Sequence, residues 1–461
     1  MRYRLRLSGR HHEELLQHLF PGDGKEAVAV ALCGRYQNSE VNVLTTHRLV
    51  LIPLEECYRV EDFIRWKTDR IIPLLEEAEK SDMAILKIHS HPGGYPRFSA
   101  VDDRSDHDLF SSVFGWCDGD GVHASAVMLP GGTLFGRVFD SSLRTEKINK
   151  ISVAGNQLLI WEGDTPGAVP AFAQRTAQAF GEGTYQKLSM LKIGVVGCSG
   201  TGSPVIEQLF RLGAGHLVLI DPDKVEEKNL NRILNTTISD VEQGQYKAIV
   251  LADFIRRAGL GTRVTPITKN LYDSPRALQE LITCDIIIGC VDSADGRHLL
   301  SQLANFYLIP YFDIGVRLGA DGEGGIEHIV ASVNYIQPGR SSLLSRRVYS
   351  AERLFDDGLL RQDPEEFGRR EKLGYVRNAN VDRPAVISVN MQISSMAVNE
   401  LLNRLHPFKD EQPENYARVM MDYCAGFIEN TAESEFEQDG LAQKWMGRGD
   451  CKPFLRMPEL S

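Results

Sequence analysis

The segment KIGVVGCSGTGSPVIEQLFRLGAGHLVLID, beginning at Lys192, constrains the fold more than any other stretch of the chain. Lys192 to Val196 reads as a buried strand, Gly197, Gly200 and Gly202 as a tight turn, the residues from about Ser203 to Leu212 as a helix, and Leu217 to Ile220 as a second strand. Two short apolar strands joined through one helix must run parallel, so this stretch demands a doubly wound α/β sheet. Further apolar runs at 285–290 and 309–314 supply more strands. The turn opens a helix whose first N–H groups suit a phosphate. Ser199 stands at the second glycine position of the dinucleotide fingerprint, which argues against a nicotinamide dehydrogenase.

The residues after that unit belong with a triphosphate. Asp221 closes the second strand, where a carboxylate accepts from ribose hydroxyls. Asn229, Arg232 and Lys247 follow as groups for phosphates, and Asp292, at another strand end, is a good Mg²⁺ ligand followed by Arg297. Splitting a triphosphate requires cations where pyrophosphate departs, so Arg232 has a use here that a dehydrogenase would not give it. Upstream, Arg175 sits on a helical stretch ahead of the first strand.

A second constellation lies nearer the N-terminus. In HSHPGGYPRFSAVDD, His89 and His91 are two residues apart, and Ser99 and Asp102 follow after a turn. At the end of an extended strand, residues i and i+2 face the same side, so both imidazoles reach one ion, and Asp102 returns as an oxygen ligand. Two nitrogens and a carboxylate leave a fourth position open, as in a catalytic Zn²⁺ site. Glu26, heading the apolar run 27–33, is the natural general base, and Ser99 a donor to a developing oxyanion. Glu13, Glu14 and Glu40 compete with Glu26 for that role, but only Glu26 directly precedes a strand ending in Leu32-Cys33-Gly34.

The HxHx7SxxD spacing with its upstream Glu resembles the JAMM (JAB/MPN) metalloproteases, zinc isopeptidases that cut after ubiquitin-like C-termini, over roughly residues 20–140. From about 170 to 405 the chain resembles the adenylation domain of ubiquitin-activating enzymes and of the bacterial ThiF/MoeB-type sulfur-carrier adenylyltransferases, most specifically in DPDKVEEKNLNR. The resemblance implies an N-terminal JAMM α/β domain (1–165) and a Rossmann-like adenylation domain (166–461) with a crossover segment at about 338–384. It implies Zn²⁺, ATP and Mg²⁺ as cofactors, and assigns Asp221 to ribose, Asn229, Arg232 and Lys247 to the triphosphate, and Asp292 to magnesium. Arg175 becomes an arginine finger reaching a partner subunit, which implies a homodimer through the adenylation domain.

One place departs from the pattern. Where related activating enzymes commonly carry CxxC, this chain has QPGRSSLLSRR, with Ser342 and Ser345 at those positions. Ser342 is then an oxyester-forming nucleophile, an engineered replacement for cysteine, or a helix N-cap, with an enzyme that stops at the adenylate. The function implied is a bifunctional enzyme of a bacterial ubiquitin-like conjugation pathway: cleavage at the C-terminus of a ubiquitin-like protein, then adenylation of its terminal glycine, with a conjugating enzyme as a further partner. Some such fusions belong to antiphage defence. The alternatives are a sulfur-carrier adenylyltransferase of cofactor biosynthesis and an activating enzyme whose JAMM domain only binds the modifier.

Charge and cysteine usage agree with this frame. With 51 Lys+Arg against 62 Asp+Glu the net charge is −11, which argues against nucleic acid or an anionic membrane as a broad-surface partner. Eight cysteines without a CxxC pair suggest neither a disulfide framework nor a zinc ribbon, and fit a reducing cytoplasm.

Overall fold

The computed structural model describes residues 1–163, 167–321, 323, 325–373, 385–457 and 460. Two large sheets organise it. The first has nine strands, with Arg2–Ser8, Val41–Leu51, Val28–Gln37, Ala84–Ser90 and His123–Met128 side by side at its centre. The helices Gly9–Leu19, Ile72–Ser81 and Ala100–Trp116 pack against it. Val28 to Cys33 are closed from water on both faces, which explains why this strand reads as a continuous apolar run rather than an alternating one.

The second sheet has eight strands, in the order Arg263–Ile267, His216–Ile220, Lys192–Val196, Ile286–Gly289, Tyr311–Ala320, Ile326–Ile336, Arg418–Asp422, Phe427–Thr431. The first five run parallel, as the βαβ grammar requires. The last three extend the sheet antiparallel, so it is mixed rather than wholly parallel. Ten register pairs between Tyr311–Ala320 and Ile326–Ile336 make a long antiparallel hairpin.

The sequence boundary near residue 165 falls outside the described residues. The weakly patterned stretch before it is structured: Lys150–Ala154 and Leu158–Glu162 are strands of the first sheet. In the crossover segment, Ala351–Gln362 and Pro364–Lys372 are helices, and 374–384 lie outside the described residues.

The two units meet through a buried ionic cluster at the N-terminal ends of the parallel strands. Asp285 lies 3.1 Å from Lys150 Nζ and 3.5 Å from Arg4, and accepts from Lys192 N–H. Arg6 donates to the carbonyls of Cys284 and Tyr307. The stretch Met446 to Asp450 then lies back on the first sheet, where Gly34 N–H donates to Gly447 O and Asp450 N–H to Arg35 O. Backbone rests on backbone there: a Cβ on Gly449, whose φ is +56°, would sit 2.4 Å from Arg35 O. In the sequence, 442–461 carry no legible chemistry; in the fold Met446 to Asp450 join the domains.

Candidate active sites

His89 is the penultimate residue of Ala84–Ser90, and His91 follows its end, held by His91 N–H to Met128 O. The strand carries both rings to one side. Their Nε2 atoms are 3.2 Å apart. Two nitrogens bound at 2.0–2.1 Å around a tetrahedral ion would be about 3.3 Å apart, so the pair already has the spacing a zinc ion asks for. His91 Nδ1 donates to the Tyr95 carbonyl at 2.8 Å, which turns Nε2 toward His89 and Asp102.

Asp102 arrives through the helix Ala100–Trp116. Ser99 is its N-cap: Ser99 Oγ accepts from Asp102 N–H, and Asp102 Oδ2 accepts from Ser99 N–H at 2.7 Å. That capping box aims Asp102 Oδ1 at His89 Nε2, 2.9 Å away, while Oδ2 lies 3.4 Å from His91 Nε2. Burial pushes the Asp102 carboxyl up, but the hydrogen bonds with His89 and His91 outweigh it and hold the group well below the usual carboxylate range. Ser99 Oγ only accepts in the cap, so its proton stays free to donate.

Glu26 is buried two residues ahead of Val28–Gln37, with its N–H on Val60 O and its carbonyl on Arg59 Nε. Burial first, then the charge of Asp102, pushes its carboxyl up to about 7, where a general base works well near neutrality. Its oxygen lies 4.0 Å from His91 Nε2, and ligand atoms of Glu26, His89 and His91 all fall within 4.8 Å of one another. Asp102, at 3.4 Å, is nearer to His91 Nε2 than Glu26 is, so both carboxylates face the imidazole pair.

In the second unit, Gly197, Asp221, Asn229, Arg232, Lys247 and Asp292 all line one cavity of about 550 Å³ at the C-terminal ends of the parallel strands, where open α/β sheets hold their ligands. Gly197 has φ +91°, and a Cβ there would sit 2.4 Å from Cys290 O, so only glycine allows the turn to approach its neighbour. Gly200 and Gly202 shape the turn from outside the lining; a Cβ on Gly202 would collide with Gly197 O. Asp221 accepts from Cys198 N–H at 2.7 Å and from Asp223 N–H at 2.9 Å, and burial pushes its carboxyl up. Lys247 is buried against Asp223, 2.8 Å away. Asn229 caps its own short helix by accepting from Glu226 N–H, and Arg232 donates to Lys228 O.

Lys269 and Asn270 also line the cavity and were missed in the sequence. They stand two and three residues past the strand Arg263–Ile267, and a Lys-Asn pair just beyond the C-terminal end of a parallel strand is the signal that marks them. Two expected residues lie apart from the cavity lining. Arg175 is exposed on the helix Gln174–Phe180. Ser342 caps a turn: its Oγ accepts from Ser345 N–H at 3.2 Å, while Ser345 Oγ accepts from Ser342 N–H.

Comparison with known proteins places both halves. Residues 173–433 match the ThiF family, and residues 8–130 match the prokaryotic homologs of the JAB domain. Among curated relatives, SAMP-activating enzyme E1 of Haloferax volcanii is 33% identical over 129 residues, covering 28% of this chain and 46% of that protein. Adenylyltransferase and sulfurtransferase UBA4 of Yarrowia lipolytica is 32% identical over 137 residues, 30% of this chain and 34% of that protein. Ubiquitin-like modifier-activating enzyme 5 of Aedes aegypti is 25% identical over 165 residues, 34% of this chain and 39% of that protein. The chain thus spans less than half the length of each. Among solved structures, E. coli MccB with ATP aligns over 62% of this chain and 74% of its own, at 18% identity and a TM-score of 0.43. With the ThiF pattern covering more than half of its length, the chain belongs to the ThiF family, its adenylyltransferase domain preceded by a prokaryotic JAB domain.

Proposed function

We propose that this chain is a two-site enzyme of a bacterial ubiquitin-like conjugation pathway, which trims the C-terminus of a ubiquitin-like protein and then adenylates the glycine carboxylate it has freed. What supports the reading is that one chain carries a prokaryotic JAB domain and a ThiF domain, each with a cluster of polar side chains, whose proposed chemistries share one substrate end: hydrolysis yields a carboxylate, and a free carboxylate is what attacks an α-phosphate.

In the first site His89, His91 and Asp102 would hold a zinc ion, which when bound supplies a Lewis acid and acidifies water. Glu26 takes the proton from the water that adds to the scissile carbonyl and delivers it to the leaving amine, while Ser99 donates to the oxygen as it gains charge. In the second site a carboxylate oxygen of the terminal glycine bonds to the α-phosphorus, the bond from that phosphorus to the bridging oxygen breaks, and pyrophosphate leaves. Asp292 would hold the Mg²⁺ that accompanies the triphosphate. Arg232, Lys247 and Asn229 meet the phosphates, and Asp221 the ribose. The domain pairs as a homodimer in which Arg175 reaches the partner's triphosphate, and it works in the cytoplasm. Among the described residues no helix is long and apolar enough to cross a membrane.

Transfer to Ser342 stands apart from these steps, because its hydroxyl is engaged in a turn cap away from the nucleotide cavity. The reading to test is therefore adenylate formation itself. With a ubiquitin-like protein ending in Gly-Gly, the chain should catalyse Mg²⁺-dependent ATP–pyrophosphate exchange, and Asp292→Ala should abolish it. Exchange that survives in Asp292→Ala would remove the second site from the proposal.

A further inference from the structure

A second cavity, about 880 Å³, opens on the other side of Asp292 and shares that residue with the nucleotide cavity. Its floor is one face of the antiparallel extension. Three cross-strand rows build it in register: Asn334 and Arg418, with buried Asp313 beside them; Gly315, Ser332 and Met420; then Arg317 and Val330. Gly315, Ser332 and Gly319 keep the floor low. Arg297, which reaches Ile314 O and lies 3.4 Å from Asp313, sets the first row nearest the nucleotide, so Arg317 lies about 13 Å farther along the strands.

The charge of this groove is one-sided. Six arginines line it against two carboxylates, Asp292 and Glu327. Three of the six are neutralised within the protein: Arg346 by Glu433, Arg353 by Asp357 and Arg297 by Asp313. Arg317, Arg347 and Arg418 have no carboxylate partner among the described residues. Arg347 also sits at φ +58°, a conformation that an L side chain adopts at a cost, on the loop whose Val348 carbonyl accepts from Arg317. In the first row, Asn334 is fully buried, and both Asn334 Oδ1 and Arg418 Nε are closed off without a hydrogen-bond partner.

We infer that this groove binds an extended peptide whose C-terminal carboxylate points to Asp292 and whose side chain about four residues upstream is acidic, held between Arg317 and Arg347. The inference rests on the adenylation reading for the direction of the peptide, and it narrows the substrate to a modifier with an acidic residue just before its glycine end.

The test uses the full chain with Mg²⁺, a non-hydrolysable ATP analogue and fluorescent synthetic peptides ending in Gly-Gly, with Glu, Ala or Lys at the fourth and fifth positions from the end. The Glu peptide should bind about ten-fold tighter than the Ala peptide and the Lys peptide weaker still, with the advantage lost in about 0.5 M NaCl. The double variant Arg317→Ala/Arg347→Ala should keep its melting temperature and lose the Glu preference. Equal binding of Glu and Ala peptides, or a preference that survives in the double variant, overturns the inference. Pyrophosphate exchange with the same peptides separates the two readings: exchange without charge preference sinks the groove alone, and charge-selective binding without exchange sinks the adenylation reading alone.

Discussion

Asp285→Ala should uncouple the two domains. The carboxylate is closed from water, and it gathers the ammonium of Lys150, the guanidinium of Arg4 and the N–H of Lys192. Burial alone would push its carboxyl up, but Lys150, then Arg4, the Lys192 N–H and Arg6 outweigh burial and bring it to about 2 from an ordinary 3.8. A depressed carboxyl contributes stability that is fully present above the unfolded value and is lost as pH falls through the folded one. The shift is worth about 2 kcal/mol above pH ~4, fading between pH ~4 and ~2. Removing the carboxylate costs more than that, because the cations stay buried. Loss of one partner of a buried pair costs about 3–5 kcal/mol, and Lys150 keeps Glu162 at 3.0 Å, which places the expectation near ~3 kcal/mol. Asp285→Asn, which still accepts from Lys192 N–H, should lose less. Urea unfolding at pH 7.5, followed by tryptophan fluorescence and by circular dichroism, reads the change; the variant's domains should unfold in separate steps where the wild type unfolds at a higher midpoint. A midpoint unchanged at pH 7.5 in Asp285→Ala would refute the reasoning.

Other outcomes follow from single contacts. Asp102→Ala should lose the third ligand and the N-terminal capping box together, so zinc content by mass spectrometry should fall well below about one per chain, while Glu26→Gln keeps its metal; full zinc in Asp102→Ala contradicts the ligand set. Gly449→Ala should cost about 1–3 kcal/mol through its left-handed backbone and the collision with Arg35 O, read as a lower urea midpoint, whereas Gly440→Ala, with open space around its Cα, should not. If Ser342 takes the acyl group, ATP and modifier should give an adduct stable to thiol but not to hydroxide, and Ser342→Cys should make it thiol-sensitive. Normal exchange without any adduct confines Ser342 to its cap.

The parts of this molecule that sequence made legible are those in which chemistry and backbone geometry coincide over a few residues. Gly197 and Gly202 are needed by the turn itself, and His89, His91, Ser99 and Asp102 form one strand end plus one helix cap, so spacing alone brings them together. Lys269 and Asn270 carried no such local pattern; they reach the nucleotide cavity only because the strand before them pairs with its parallel neighbour. The antiparallel extension escaped for the same reason, since a hairpin and a crossover begin with similar apolar runs. Gly447 and Gly449 look like ordinary loop glycines until the first sheet is laid against them. Residues whose meaning depends on a distant surface leave no periodicity to read.

The central claim is that hydrolysis and adenylation act in series on one tail. A ubiquitin-like protein ending in Gly-Gly, prepared with and without a short C-terminal extension, tests it through pyrophosphate exchange by the wild type and by Glu26→Gln. The account predicts that the wild type exchanges with both forms, with a lag for the extended one, and that Glu26→Gln exchanges only with the trimmed form. Exchange by Glu26→Gln with the extended protein at the wild-type rate would contradict it.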